Sequence, residues 1–130
     1  MGRTASRHPT ARELEILKVV WDRGRATVRE VLEALSQSGR HESAYTSLMT
    51  VMSTMVDKGY LRRKKVGIGY VYEARIARQT TTRRMLQDLI HSAFDGSAAN
   101  VALGLLQETD LDASQLQQLK QLIRQQSERR

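Results

Sequence analysis

Residues 43-SAYTSLMTVMSTMV-56 have the periodicity of a helix, yet no side chain among them is charged. Leu48, Val51, Met52, Met55 and Val56 recur at the three- and four-residue steps that build one apolar face. The other positions are Tyr45, Thr46, Ser47, Met49, Thr50, Ser53 and Thr54, where a water-facing surface ordinarily carries Lys, Glu or Arg. Either this second face lies close against a polar partner, or both faces are buried, as at a protein interface.

The flanking segments narrow the choice. Upstream, Thr10 and Glu13 fit a capping box, in which hydroxyl and carboxylate each satisfy an orphan backbone N–H. Leu14, Leu17 and Trp21 then form a stripe, with Ile16 and Val20 beside it, until Gly24 ends the first helix. Thr27 and Glu30 repeat the device for a second helix, which turns Val28, Val31, Leu32 and Leu35 inward and closes at Gly39. The segment 40-RHE-42 leads into the third helix, and Gly59 within 57-DKGYL-61 suits its left-handed cap. After that the period changes. The runs 60-YLRRKK-65 and 70-YVYEA-74 read as two short strands around the loop 66-VGIG-69. Three helices and a basic hairpin make a winged helix-turn-helix, mainly α with a small β-hairpin wing. Its expected core is Leu14, Leu17, Trp21, Val31, Leu35, Leu48 and Met52.

In that architecture the uncharged helix is suited to a major groove. Short hydroxyls reach base-edge donors and acceptors, while Met49 and the methyls of Thr46 and Thr50 can touch thymine methyls. Phosphate contact falls to the Ser43 hydroxyl and to the flanking cations Arg40, Lys58, Arg62, Arg63, Lys64 and Lys65. Charge distribution supports a polyanionic partner. The chain carries a net +7, and residues 1–79 hold 15 Lys and Arg against 8 Asp and Glu, whereas residues 80–130 hold 6 of each. The whole excess sits in the first portion.

Residues 80–130 differ in character. Met85/Leu86, Leu89/Ile90 and Ala93/Phe94 make a wide stripe on a fourth helix that ends near Gly96. Ser97 can cap a fifth helix carrying Val101, Leu105 and Leu106, and Asp112 with Gln115 caps a sixth along Leu116, Leu119, Leu122 and Ile123. About 50 residues are too few for a comfortable core of their own, and the stripes are too wide for three short helices. Association with a second copy resolves both difficulties. The expected division is a winged-helix domain over 1–79 and a helical dimerisation domain over 80–130. Met85, Leu86, Leu89, Ile90, Phe94, Val101, Leu105, Leu116, Leu119, Leu122 and Ile123 are the expected homodimer interface.

Other classes of function find little support. Cysteine is absent, which removes disulfides and thiolate chemistry and suits a cytoplasmic chain. No apolar run approaches the roughly 18–20 residues that cross a bilayer, and the basic start MGRTASRHPT leads into no apolar segment, so neither membrane insertion nor a secretory signal is expected. His8, His41 and His91 have no metal-ligand spacing. The loop 66-VGIG-69 lacks the Lys-Ser/Thr of a phosphate-cradling loop and reads as a wing tip. No catalytic constellation, metal or cofactor is expected.

Three segments carry a resemblance: 13-ELEILKVVWDRGRATVREVLEAL-35, 44-AYTSLMTVMSTMVDKGYLRRKKVGIGYVYEA-74 and 94-FDGSAANVALGLL-106. Through them the chain resembles the penicillinase-repressor family of bacterial regulators, the BlaI/MecI/CopY group, from Thr10 to about Gln125. The resemblance implies a dimeric winged-helix repressor of resistance or stress genes, acting on double-stranded DNA at a palindromic operator with TACA/TGTA-type half-sites. It implies that Tyr45, Thr46, Met49 and Thr50 face bases, that Arg62, Arg63 and Lys64 contact phosphates, and that segments 80–94 and 97–125 dimerise. It also implies a membrane-bound sensor metalloprotease as a partner. Two departures accompany it. The copper-responsive branch binds metal through cysteines, which this chain lacks. The β-lactam branch is cut at an Asn–Phe bond in its fifth helix, and Gly104–Leu105 stands in the corresponding place. Two competing readings remain, a winged-helix module that docks on proteins and a nonspecific basic DNA-coating protein.

Overall fold

Residues 8–37 and 45–129 are described by the computed structural model. The elements run α1 (Ala11–Arg23), α2 (Val28–Gln37), α3 (Tyr45–Asp57), β1 (Leu61–Val66), β2 (Gly69–Ala74), α4 (Arg78–Ala93), α5 (Ala98–Glu108) and α6 (Ala113–Glu128). This order is that of a winged helix-turn-helix followed by three further helices.

Local chemistry sets most of the boundaries. At the start of α1 the Glu13 N–H donates to Thr10 Oγ1 at 3.2 Å and the Thr10 N–H to Glu13 Oε1 at 2.9 Å. Thr27 and Glu30 exchange the same two bonds before α2, at 3.1 and 2.9 Å. Asp112 and Gln115 do so before α6, and Ser97 caps α5. Beyond α3, Gly59 adopts φ +86°, which glycine tolerates without a Cβ clash. The Tyr60 N–H then reaches Met55 O, and the Gly59 N–H reaches Val56 O, the paired bonds of a Schellman stop. The Gly39 stop expected for α2 lies outside the described residues.

Ile16, Leu17, Val20, Val31, Leu48, Met52, Met55 and Leu61 lose essentially all contact with solvent, joined by Leu35 and Tyr72. Truncating one of these to Ala would cost about 2–5 kcal/mol. The face that α1 buries therefore differs from the expected stripe. Ile16 and Val20 are fully buried beside Leu17, whereas Leu14 and Trp21 are only half-buried. The indole serves instead as a donor, with Trp21 Nε1–H bonded to Ile76 O at 2.9 Å. Glu13, buried one turn before Ile16 and Leu17, continues the inward face with a charge.

The two strands pair antiparallel from Leu61↔Ala74 to Val66↔Gly69. Their two-residue loop is Gly67–Ile68, with Gly67 at φ +62°, the sign that the first central position of a type II′ turn requires. On its other edge β2 meets the α1–α2 connection, where Ala26 and Tyr72 exchange backbone bonds of 3.0 and 2.8 Å.

Contacts divide the chain into two units, residues 1–88 and 89–130. The division falls inside α4, later than the 79/80 boundary read from sequence, because the first turns of α4 are fastened to the first unit. Thr81 is fully buried there. The Arg78 guanidinium lies over the Trp21 ring, 5.1 Å from its centroid, and donates to Asp22 at 2.9 Å. His8 approaches Asp88 at 3.4 Å. In the second unit Val101 is the single buried residue among those described, and α6 has none.

Candidate nucleic-acid interface

The placement of α3 follows from its inner face. Leu48, Met52 and Met55 are locked in the core, so the opposite side of the helix must point outward. Tyr45, Thr46, Ser47, Met49, Thr50 and Thr54 are all exposed, with Tyr45 at 38% and Met49 at 41%, and Ser53 is half-buried. Among the described residues nothing covers this face, which disfavours burial on both sides. The Thr50 hydroxyl donates to the Thr46 carbonyl at 3.0 Å. Its proton is thereby used, leaving Thr50 its oxygen lone pairs and its methyl for any partner.

Strand alternation separates the basic run 62-RRKK-65 onto two faces. Arg63 and Lys65 share the face of the buried Leu61, opposite Tyr72 and Tyr70, while Arg62 and Lys64 lie on the other. Arg63 is a brace between the hairpin and α3. It donates to Ser53 Oγ at 3.3 Å, and its guanidinium sits 4.7 Å from the Tyr70 ring centroid. Arg62 pairs with Glu73 across the strands at 3.1 Å, an exposed contact worth little by itself. Lys64 and Lys65 are exposed and form no ion pair among the described residues.

Lys58, expected at a phosphate, also has a partner inside the fold. Its Nζ donates to Glu13 Oε2 at 2.7 Å, tying the turn after α3 to the start of α1. Burial by itself would raise the Glu13 pKa. The hydrogen bonds from Lys58 and from the Thr10 backbone, together with the Lys58 charge, outweigh that and hold it below the usual 4.5. Arg40 and Ser43 lie outside the described residues.

One cation was missed by the sequence reading. Arg29, in the first turn of α2, places its guanidinium 5.3 Å from the centroid of the Tyr45 ring. With Met49, Ile68 and Tyr70 these two residues line a groove between α2, α3 and the hairpin tip. No local motif announces the pair, since 16 positions separate its members (45 − 29).

The residues expected at a dimer interface are mostly open. Leu86, Leu89, Leu105, Leu116, Leu122 and Ile123 are exposed, and Met85, Ile90, Phe94 and Leu119 are half-buried. Val101 is only 6% exposed, so it already belongs to the packing of its own chain. Leu103 and Leu106 add to the open apolar surface. Gly104 and Leu105 stand mid-helix in α5, and a Cβ added at Gly104 would meet nothing within 4 Å. Among the described residues no three His, Asp or Glu side chains gather as a metal site, and no helix is long and apolar enough to cross a membrane.

A three-helix core, an outward uncharged third helix and a basic two-stranded wing define a winged helix-turn-helix regulator. Residues 9–125 match the family model described as penicillinase repressor, and the chain belongs to that family. The penicillinase repressor of Bacillus licheniformis is 22% identical over 118 residues, covering 91% of each chain. The methicillin resistance regulatory protein MecI of Staphylococcus epidermidis is 16% identical over 111 residues, covering 85% of this chain and 89% of its own. An uncharacterised 16.5 kDa protein of Latilactobacillus sakei is 23% identical over 114 residues, covering 88% and 77%.

Proposed function

We propose that this chain is a homodimeric transcriptional repressor that binds a palindromic DNA operator. The observation that carries the reading is the exposed, uncharged face of α3 beside a basic hairpin. A helix that enters a major groove must come close to base edges, and long cations on every turn would bind phosphates indiscriminately instead. Tyr45, Thr46, Met49 and Thr50 read bases. Lys64, Lys65, Arg62 and Arg63 hold phosphates, and Arg40 and Ser43 are assigned the same role. Lys58 contributes mainly through Glu13.

Dimerisation rests on the open leucines and isoleucine of α4, α5 and α6. Exposed apolar side chains in such number point to an association site. Two linked copies engage two half-sites, and the second contact gains from high effective concentration. A bound dimer excludes other proteins from the same stretch of promoter. A cut at Gly104–Leu105, for instance by a sensor protease, would separate α6 from the rest and release the operator.

The test is selection from a randomised duplex pool with the full-length protein. The expected result is enrichment of an inverted repeat bound by two copies. A protein-docking module enriches nothing, and a nonspecific coating protein binds every duplex with equal, salt-sensitive affinity.

A further inference from the structure

We infer that Arg29 is a positioning residue for base reading, which orients the Tyr45 ring while its own edge engages a DNA phosphate. The inference rests on the repressor reading above and adds a residue to it. Three observations meet at this position. The Arg29 guanidinium lies over the Tyr45 ring at 5.3 Å. Both residues are exposed, and Arg29 forms no ion pair among the described residues. Both line the groove that also holds Met49 of α3 and Ile68 and Tyr70 of the hairpin.

The chemistry of guanidinium links these observations. Stacking on a ring uses the face of the group and none of its five N–H donors. Those donors remain in the guanidinium plane, where a phosphate oxygen can accept two of them in the fork geometry that arginine favours. The groove is consistent with a sugar–phosphate strand. Its walls are apolar or aromatic at Val28, Met49, Ile68 and Tyr70, and its charge is positive.

Tyr45 is the first described residue of α3, and it is 38% exposed. An exposed cation–π contact biases the ring toward one orientation by roughly two- to fivefold. A phosphate that pins Arg29 thereby also pins the ring that faces the bases. Lysine keeps the charge but loses the planar stack and the fork, so it separates the two roles.

The experiment compares wild type, Arg29→Ala, Arg29→Lys and Tyr45→Leu on two duplexes of equal length. One is the sequence that wild type enriches from a random pool, and the other is scrambled. Fluorescence anisotropy at one ionic strength measures both. Arg29→Ala should weaken the enriched duplex about ten- to thirtyfold and the scrambled one about three- to fivefold. Arg29→Lys should restore the scrambled duplex to within about twofold but not the lost discrimination. Tyr45→Leu should lower discrimination, weakening the enriched duplex by a larger factor than the scrambled one. The stack has its own readout without DNA, a ring-current shift of the Arg29 side-chain protons that disappears in Tyr45→Leu.

Full recovery of discrimination by Arg29→Lys would reduce the residue to a charge and overturn the inference. Equal losses on both duplexes, no loss at all, or an absent ring-current shift would do the same. Failure of wild type to enrich any sequence would instead overturn the repressor reading, and this one with it.

Discussion

Replacing Ile123 by Ala tests the proposed dimer apart from everything else the chain does. Ile123 is 63% exposed in the single chain, on a helix that buries no residue of its own. Fully burying an isoleucine is worth about 1.5–3 kcal/mol, so covering the part still open stabilises association by about 1–2 kcal/mol per copy. Alanine forfeits most of that, and the dimer contains the position twice. The expected loss is about 2–3 kcal/mol, or a rise of roughly 30- to 150-fold in the dimer dissociation constant. Loss of helix cannot account for such a result, because alanine is the better helix former. Sedimentation velocity over a concentration series reads the constant directly. Affinity for the full palindrome should fall alongside it, while affinity for an isolated half-site stays put. An unchanged dissociation constant in Ile123→Ala, and again in Leu122→Ala and Leu105→Ala, would refute the assignment of this surface to the dimer.

Four further outcomes are expected. Glu13→Gln keeps the cap geometry but loses the charge facing Lys58, and should cost about 1–2 kcal/mol at neutral pH. Because the folded pKa of Glu13 is depressed, the carboxylate's contribution is fully present above the ordinary 4.5 and disappears as pH falls through the folded value. Urea melts of wild type and variant should therefore converge in acid, and a constant gap would remove the ion pair as the cause. Lys64→Ala and Lys65→Ala should each flatten the slope of log K against log salt by about one unit; Lys58→Ala should lower thermal stability and move that slope less, which titration at several ionic strengths checks. Thr46→Ala should lose about 1–3 kcal/mol on the enriched duplex and little on a scrambled one, and equal losses would take Thr46 off the base edges. Gly104→Ala should stabilise α5 by about 0.8–1 kcal/mol, since among the described residues nothing lies within 4 Å of the new Cβ. A weaker dimer in that variant would show instead that the partner copy packs there.

The parts of the fold that were legible in sequence rest on neighbours three or four positions apart. Thr10 with Glu13, Thr27 with Glu30 and Asp112 with Gln115 mark helix starts because both partners of each cap lie within one turn. Gly59 and Gly67 mark where the chain reverses because the backbone there needs a positive φ. The face of α1 was less legible. Glu13 belongs to its buried side, and a charge at the head of the stripe disguises Ile16 and Val20 as flanking positions. Lys58, 45 residues away, supplies the opposite charge that helps make that burial tolerable, and no local pattern reports a partner so distant. The candidate interface divides in the same way. The uncharged side of α3 is visible in its composition, whereas the brace from Arg63 to Ser53 and the stack of Arg29 on Tyr45 exist only once the chain is folded.

The mutual backbone bonds of Ala26 and Tyr72 have a dynamic consequence. An isolated two-stranded ribbon is marginal in water and frays from both ends. Here strand β2 is hydrogen-bonded on both of its edges at Tyr72 and its neighbours, to β1 and to Ala26, and the Tyr72 side chain is sealed among the helices. Its amide should exchange with deuterium only when the helical core opens, whereas amides from Lys65 to Gly69 exchange by local fluctuation. The ribbon thus works as a cantilever, clamped at one end and compliant at the other. Under the proposed DNA reading, a compliant tip would adapt to each binding site while the clamp at Tyr72 keeps the ribbon fixed to the helices.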